Sequence, residues 1–364
     1  QMTLDQLIRL NHLTSPAEIY AGSILVASKQ ESSLIPAARS NLADGQSILE
    51  YAMVQKTNPW QIVLENQLSR SWQVLPGEVV YQGGGNTGDG ENAPWALPGE
   101  ILSLQLTPLI VAQGKTAVLE ITGTMAMTIT GMLAEYPLHF LPQTGGRYTA
   151  LQGVHAMLEP GLYPLSLEGR LANGTPLAFS QSVLIASGSY LYDPVLTVSP
   201  ETIDPAVTRL EDAQWSALAQ PVTPQKYWDG QFQSPAPEIY ADCWPSLFGS
   251  RRSYNGSDYS HFHTGLDFCG GVGTDILAPA AGVVVFAGPL TVRGNATMID
   301  HGMGVYSGYM HQDEILVQVG DRVEAGQVIG KVGSTGRVTG PHLHWEIWVG
   351  GVQVDPMEWL QRVF

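Results

Sequence analysis

Two short segments of this 364-residue chain carry side chains able to bind a metal ion and to move a proton. One is His263-Thr264-Gly265-Leu266-Asp267; the other is His342-Leu343-His344, with His344 lying 77 residues after Asp267. In a strand, side chains two residues apart project from the same face, so His342 and His344 can reach one pocket. With His263 and Asp267 added, two imidazoles and a carboxylate are available for zinc. That set leaves one coordination position open for water and spare histidines for proton transfer. Six of the nine histidines fall at or after residue 261, less than a third of the chain, and such clustering asks for a site. No HExxH occurs, so a single helix carrying two ligands and its own base is excluded.

Cys243 and Cys269 are the whole thiol inventory. A disulfide, a metal thiolate pair and two buried free thiols all remain open, although the missing CxxC spacing speaks against the metal. His301, in "DHG", reads as a turn cap through hydrogen bonding. Tyr254, Tyr259 and Tyr309 could donate to a tetrahedral oxyanion or simply pack. Gly333-Ser334-Thr335-Gly336 lacks the Lys-Ser/Thr that a phosphate cradle needs and reads as a loop shaping a groove. His139 and His155 read as ordinary strand or loop residues.

From about Phe248 to Pro356 the segments "FGSRRSYNG", "HTGLDFCGGVGTDILAPAAGVVVFAG", "IDHGMGVYSGYMH", "VGDRVEAGQVIGKVGSTGRVTGPHLHWEI" and "DP" stand in one order. That series resembles the lysostaphin- and LytM-type zinc endopeptidases of peptidoglycan. The resemblance implies an antiparallel β-sheet groove with Zn2+ on its floor, held by His263, Asp267 and His344, with His342 and His311 as catalytic histidines. It leaves open which of these two is the general base, and which peptide bond is cut. His261 is six residues from Asp267 where the family spacing is four, which makes it a rim residue. Cys269 stands where the family usually carries a non-thiol residue. A Cys243–Cys269 disulfide would tie the segment entering the domain to the metal-bearing strand, and it would suit an oxidising extracytoplasmic compartment. The rival reading is a catalytically silent peptidoglycan-binding scaffold, or a regulator of another cell-wall hydrolase. Such proteins typically lack one or more of these five residues, and all five are present here.

The elements around the site follow from composition and pattern. A chain of this length calls for several domains. Hydrophobic residues at 44% and charged residues at 14% describe globular domains, while 40 glycines and 24 prolines favour short strands joined by turns over helical bundles. The net charge of −16 repels polyanions, so nucleic acid is not an expected partner. No apolar run reaches the ~20 residues of a transmembrane segment. The chain starts at Gln1 without an initiator methionine, which leaves room for a removed export signal and an extracytoplasmic, secreted or envelope-attached protein.

Near the start, "LDQLIRLNHLTSPAEIYAGSILVAS" resembles the second half of a LysM module, and "GQSILEYAMVQKTNPWQIVLENQLSRSWQVLPGEVVYQ" resembles a whole one. LysM modules bind glycans containing N-acetylglucosamine, so the resemblance implies targeting to peptidoglycan. The expected organisation is multidomain and mainly β. A partial LysM-like module occupies 1–30 and a small α+β LysM-like module 44–82, followed by a Gly-rich linker over 82–94. An immunoglobulin-like β-sandwich is expected over 95–192, with Asn173-Gly174 as a hairpin signal. A Pro-rich connector over 193–225, with a short helix from Ala206 to Leu218, leads into the lysostaphin-type peptidase domain over 226–364.

Overall fold

The structure is a computed structural model that describes residues 37–43, 45–57, 59, 62–63, 66, 74, 79–83, 100–108 and 110–364. The half-module read over 1–30 and most of the Gly-rich linker lie outside the described residues. The chain is mainly β. At its N-terminal end, strands β1 (Ala37–Asn41) and β2 (Val79–Gly83) pair antiparallel, so the unit they close starts ahead of residue 44. Between them runs α1 (Ile48–Gln55), which starts where Ser47 accepts from Glu50 N–H and the Glu50 carboxylate accepts from Ser47 N–H. Ile48, Tyr51 and Ala52 bury against Leu42, Ile62, Val63 and Val80, whereas Leu49 turns into the core of the next domain.

That domain is a two-sheet β-sandwich. Its strands are β3 (Ile101–Thr107), β4 (Val111–Ala112), β5 (Thr116–Gly123), β6 (Met127–Leu133), β7 (Tyr136–His139), β8 (Leu141–Pro142), β9 (Arg147–Gly153), β10 (Gly161–Leu171) and β11 (Pro176–Ala186). One sheet has the order β4-β11-β10-β6-β7 and the other β3-β5-β9-β8; every pair is antiparallel except β4 with β11. Along β5, Leu119 and Ile121 point inward in alternation with half-buried neighbours and meet Leu165, Leu167 and Phe179 of the facing sheet. Asn173-Gly174 makes the turn between β10 and β11, with Gly174 at φ 89°.

Residues 193–225 wrap the last domain. Their helix α2 (Pro205–Leu218) is capped by Asp204 and begins with proline at its first position. The last domain is built on β12 (Arg251–Arg252), β13 (His261–Phe262), β14 (Leu266–Phe268), β15 (Asp275–Leu277), β16 (Gly282–Leu290), β17 (Gly294–Gly302), β18 (Val305–Ile315), β19 (Arg322–Val323), β20 (Val328–Val332), β21 (Leu343–Val349) and β22 (Val352–Val354), closed by α3 (Pro356–Gln361). Its main sheet is antiparallel with the path β14-β21-β18-β17-β16-β19; β20 adds to β18 and β15, and β22 adds to β21. Leu266, Phe268, Ile299, Tyr309, Trp345, Ile347 and Trp359 lie in its core. The β-sandwich is joined to this domain directly. Lys115 Nζ meets Asp355 Oδ2 at 2.7 Å, Thr116 N–H donates to Glu358 at 2.9 Å, and Leu151 of β9 belongs to the same core.

Candidate metal centre

Sheet register brings the distant motifs together. Asp267 of β14 sits opposite His344 of β21, and His344 sits opposite Met310 of β18, which puts His311 next along. His263 lies in the turn between β13 and β14. That turn can press against β21 because residue 265 is glycine: a Cβ there would come within 2.3 Å of Trp345 O and 2.9 Å of His344 Nε2. His342 just precedes β21, bridged to Gly333 of the groove loop.

His263, Asp267 and His344 are all buried and converge on one point. His263 Nε2 is 3.0 Å from Asp267 Oδ1 and 3.0 Å from His344 Nδ1, and His344 Nδ1 is 2.8 Å from Asp267 Oδ1. The outer ring nitrogens fix the tautomers. His263 Nδ1 lies 2.9 Å from the carbonyl of Leu247, which only accepts, so the proton is there and the Nε2 lone pair faces inward. His344 Nε2 lies 3.4 Å from the Glu346 carboxylate, which leaves the Nδ1 lone pair inward. Three lone-pair atoms thus face one another with no proton between them while both rings are neutral, an arrangement that asks for a cation. Ligand atoms about 2.0–2.1 Å from a tetrahedral zinc are about 3.3 Å apart, so a few tenths of an ångström of expansion fits this set to zinc.

The electrostatics agree with such a centre. Burial alone would raise the Asp267 carboxyl, but His263 and His344 outweigh it and hold the group well below the usual carboxylate range. Burial lowers His263. His344 is also desolvated, yet hydrogen bonds to Asp267 and Glu346 raise it. Arg252 Nη2 stands 3.8 Å from Asp267 Oδ2 while its Nε donates to Asp193 at 3.1 Å.

The two further histidines face the same centre. His342 Nδ1–H donates to Gly340 O at 2.8 Å, and its Nε2 is 3.7 Å from Asp267 Oδ1. His311 Nδ1–H donates to Thr335 O at 2.8 Å, and its ring centroid is 5.1 Å from that of His342 and 6.0 Å from that of His344. Both therefore keep the Nε2 lone pair for a proton. Burial, then the neighbouring His344 and His342, push His311 down to about 3, so it is neutral through the physiological range. Its backbone is left-handed, φ 62°, a conformation that costs energy in a non-glycine residue.

The other candidates sort out differently. His301 is fully buried; its Nδ1–H donates to Ala281 O at 2.8 Å and its Nε2 accepts from Ser307 Oγ at 2.7 Å. Tyr309 is fully buried in the core, with its hydroxyl on Ser307. Tyr254 lies under Arg337, Tyr259 donates to Asp193 O, and His261 is exposed beside Tyr254. His139 is exposed on β7 of the sandwich, away from the site. Cys243 and Cys269 form a disulfide. A groove of about 790 Å³ runs over the centre, lined by four of the five site residues, all but His263, together with Arg252, Arg337 and the connector residues Asp193 and Leu196.

Five further residues contribute without a part in the motifs, among them His155, which stands in the groove lining and is not the ordinary strand or loop residue that the sequence suggests. His155 and Met157 of the β9–β10 loop line the groove from the sandwich, held there by Arg251 Nη2 donating to Ala156 O at 2.7 Å. Leu247 O and Ser246 Oγ hold the His263 ring. Glu346 carries His344; its signal was available, since residues 344 and 346 share one face of a strand.

An antiparallel β-sheet groove with a two-histidine, one-carboxylate centre and two more imidazoles above it has the make-up of a hydrolase of the metallopeptidase class. Residues 261–356 match the family model described as Peptidase family M23, and the chain carries a domain of that family. Peptidoglycan DD-endopeptidase ShyC of Vibrio cholerae is 40% identical over 111 residues, 30% of this chain and 26% of that protein. The DD-carboxypeptidase/endopeptidase Mpg of Neisseria meningitidis is 46% identical over 95 residues, 26% of this chain and 22% of that protein. The chain thus matches about a quarter of the length of these curated relatives. A putative peptidase M23 from Pseudomonas aeruginosa, known as a crystal structure, is 28% identical with a TM-score of 0.51, covering 70% of this chain and 96% of that one.

Proposed function

We propose that the protein is a zinc-dependent endopeptidase that hydrolyses peptide cross-links of bacterial peptidoglycan outside the cytoplasm. The observation that carries this reading is the triangle of inward lone pairs on His263, Asp267 and His344, with the imidazoles of His311 and His342 beside it. His263 Nε2, Asp267 Oδ1 and His344 Nδ1 would hold the metal, leaving a site of net charge +1. Bound there, zinc supplies Lewis acidity towards the scissile carbonyl and acidifies the attacking water. The chain's own residues do the rest. His342 Nε2, on the open side of the centre, takes the water proton and returns it to the leaving amine. His311, held neutral by burial, directs its Nε2 lone pair at the same space, where it would accept a hydrogen bond from the attacking water and orient it. The names of the curated relatives point to a cross-link between D-residues. All five side chains are in place, which favours an active enzyme over a silent scaffold or regulator.

The N-terminal parts belong to the same reading. The β1–α1–β2 unit, with Asn66 buried against Ile62 O, supports a LysM-like glycan module, and the two-sheet domain supports an immunoglobulin-like class. Both would hold the enzyme on its polymeric substrate and so raise local concentration. Among the described residues no helix is long and apolar enough to cross a membrane. Mass spectrometry of muropeptides after digestion of purified cell walls, with and without chelator, tests the proposal. Release of cross-link fragments that stops on metal removal is expected, and intact cross-links with metal-loaded protein would refute it.

A further inference from the structure

Helix α2 lies outside residues 261–356, yet the two side chains it buries are Glu211 and Trp215, an i, i+4 pair on one face. A helix held only by apolar packing does not bury a carboxylate on its contact face, because an unpaired one is costly to desolvate. Each buried group connects to a site residue through one intermediary.

Trp215 is fully buried and packs with Met298, Tyr306 and Met310. It fits because residue 308 is glycine, where a Cβ would stand 2.8 Å from the indole Cζ2. Its Nε1–H donates to Glu346 Oε2 at 2.9 Å. The other oxygen of Glu346 accepts from Thr264 Oγ1 at 2.6 Å and faces His344 Nε2 at 3.4 Å. Trp348 Nε1–H also donates to Oε2, at 2.8 Å, and Gln353 Nε2 to Oε1, at 3.0 Å, so Trp215 is the donor from outside the domain among those that fix the rotation of the carboxylate facing the His344 ring. On the second arm, Glu211 accepts from Val292 N–H at 2.8 Å, from Arg293 N–H at 2.9 Å and from Arg293 Nη1 at 3.1 Å. The carbonyl of Arg293 in turn accepts the backbone N–H of His311 at 2.9 Å. The left-handed backbone of His311 thus leans on a loop that Glu211 pins.

We propose that α2 is a brace of the catalytic centre: Trp215 positions His344 through Glu346, and Glu211 positions His311 through the Val292–Arg293 backbone. Both are positioning residues, and the inference rests on the zinc-peptidase reading above. It makes the segment read as a connector an integral part of the metal site.

The test uses the full chain. Trp215→Phe keeps the ring and removes the N–H. Zinc affinity, measured by competition with a chromophoric chelator, should fall by ~10-fold, the low end of the usual effect of losing a group that orients a ligand, because Trp348 and Gln353 still hold Glu346. The visible spectrum of the cobalt-substituted protein should change as well, with the melting temperature of the metal-free protein held. Glu346→Gln, nearly isosteric, should act in the same direction. Glu211→Gln should leave zinc affinity intact and lower kcat ~10-fold or more at unchanged KM. Wild-type zinc affinity and cobalt spectrum in Trp215→Phe would overturn the first arm, whatever Glu346→Gln shows, and wild-type kcat in Glu211→Gln would overturn the second. A wild-type protein that binds no zinc would overturn the peptidase reading and the brace together; zinc binding with unaffected variants would overturn the brace alone.

Discussion

Replacing Cys243 and Cys269 together by alanine tests how the centre is tied to the segment that enters its domain. The bridge spans 26 residues. Closing a loop of that length removes unfolded-chain entropy of about 12 cal/mol/K, or about 3.5 kcal/mol at room temperature on the chain-entropy account. That corresponds to roughly a 300-fold change in the folding equilibrium. The loss should reach the metal as well as the fold. Beside the bridge, Cys269 N–H donates to Cys243 O at 3.0 Å, Asp267 N–H to Ser246 O at 3.0 Å, and His263 Nδ1–H to Leu247 O at 2.9 Å. Residues 243–247 therefore hold two of the three proposed ligands. Guanidinium unfolding followed by tryptophan fluorescence, in chelator and in excess zinc, should show the double variant about 3.5 kcal/mol less stable without metal. It should also bind zinc more weakly. Thiol titration of denatured, unreduced wild-type protein should find no free thiol. Two free thiols, or a double variant within about 0.5 kcal/mol of wild type, would refute the reasoning.

Elemental analysis of His344→Ala should show loss of the single zinc; full occupancy in that variant would remove His344 from the ligand set. His342→Ala should keep zinc and lose ~10²- to 10⁴-fold in cell-wall cleavage, the usual worth of a positioned base; near-normal turnover would move the role to His311. His301 is buried, and burial lowers its pKa from 6.5 to about 4. The neutral ring is then the folded form, so stability is full above pH 6.5 and is lost as pH falls towards 4, by about 3 kcal/mol for this group. His301→Gln should flatten the stability of the metal-free protein between pH 7 and 4.5 relative to wild type, and an unchanged slope would count against it. Removing residues 1–90 should weaken retention on insoluble peptidoglycan while leaving turnover of a soluble peptide unchanged; higher turnover would replace tethering by an inhibitory role.

Local rules reach some of this protein from sequence alone. The alternation in β5, the Asn173-Gly174 turn and the proline that opens α2 are written within a few residues of where they act, because strand period, turn geometry and helix capping are short-range. The chemistry of the centre is also legible in part. A strand period of two puts His342 and His344 on one side, and a histidine four residues before an aspartate in a tight turn can aim both inward. Tertiary structure alone decided what those residues lean on. Asp267 meets His344 only through the pairing of β14 with β21, and Trp215 meets Glu346 across 131 residues of chain. Glu211, by its spacing an ordinary exposed carboxylate on a polar helix, is buried because Val292 and Arg293 present their N–H groups to it. The sandwich loop with His155 enters the groove because Arg251 points away from the centre while its neighbour Arg252 points into it. None of these contacts has a local signature, since each depends on the summed register of a sheet and on which buried donors still lack an acceptor once that sheet has formed.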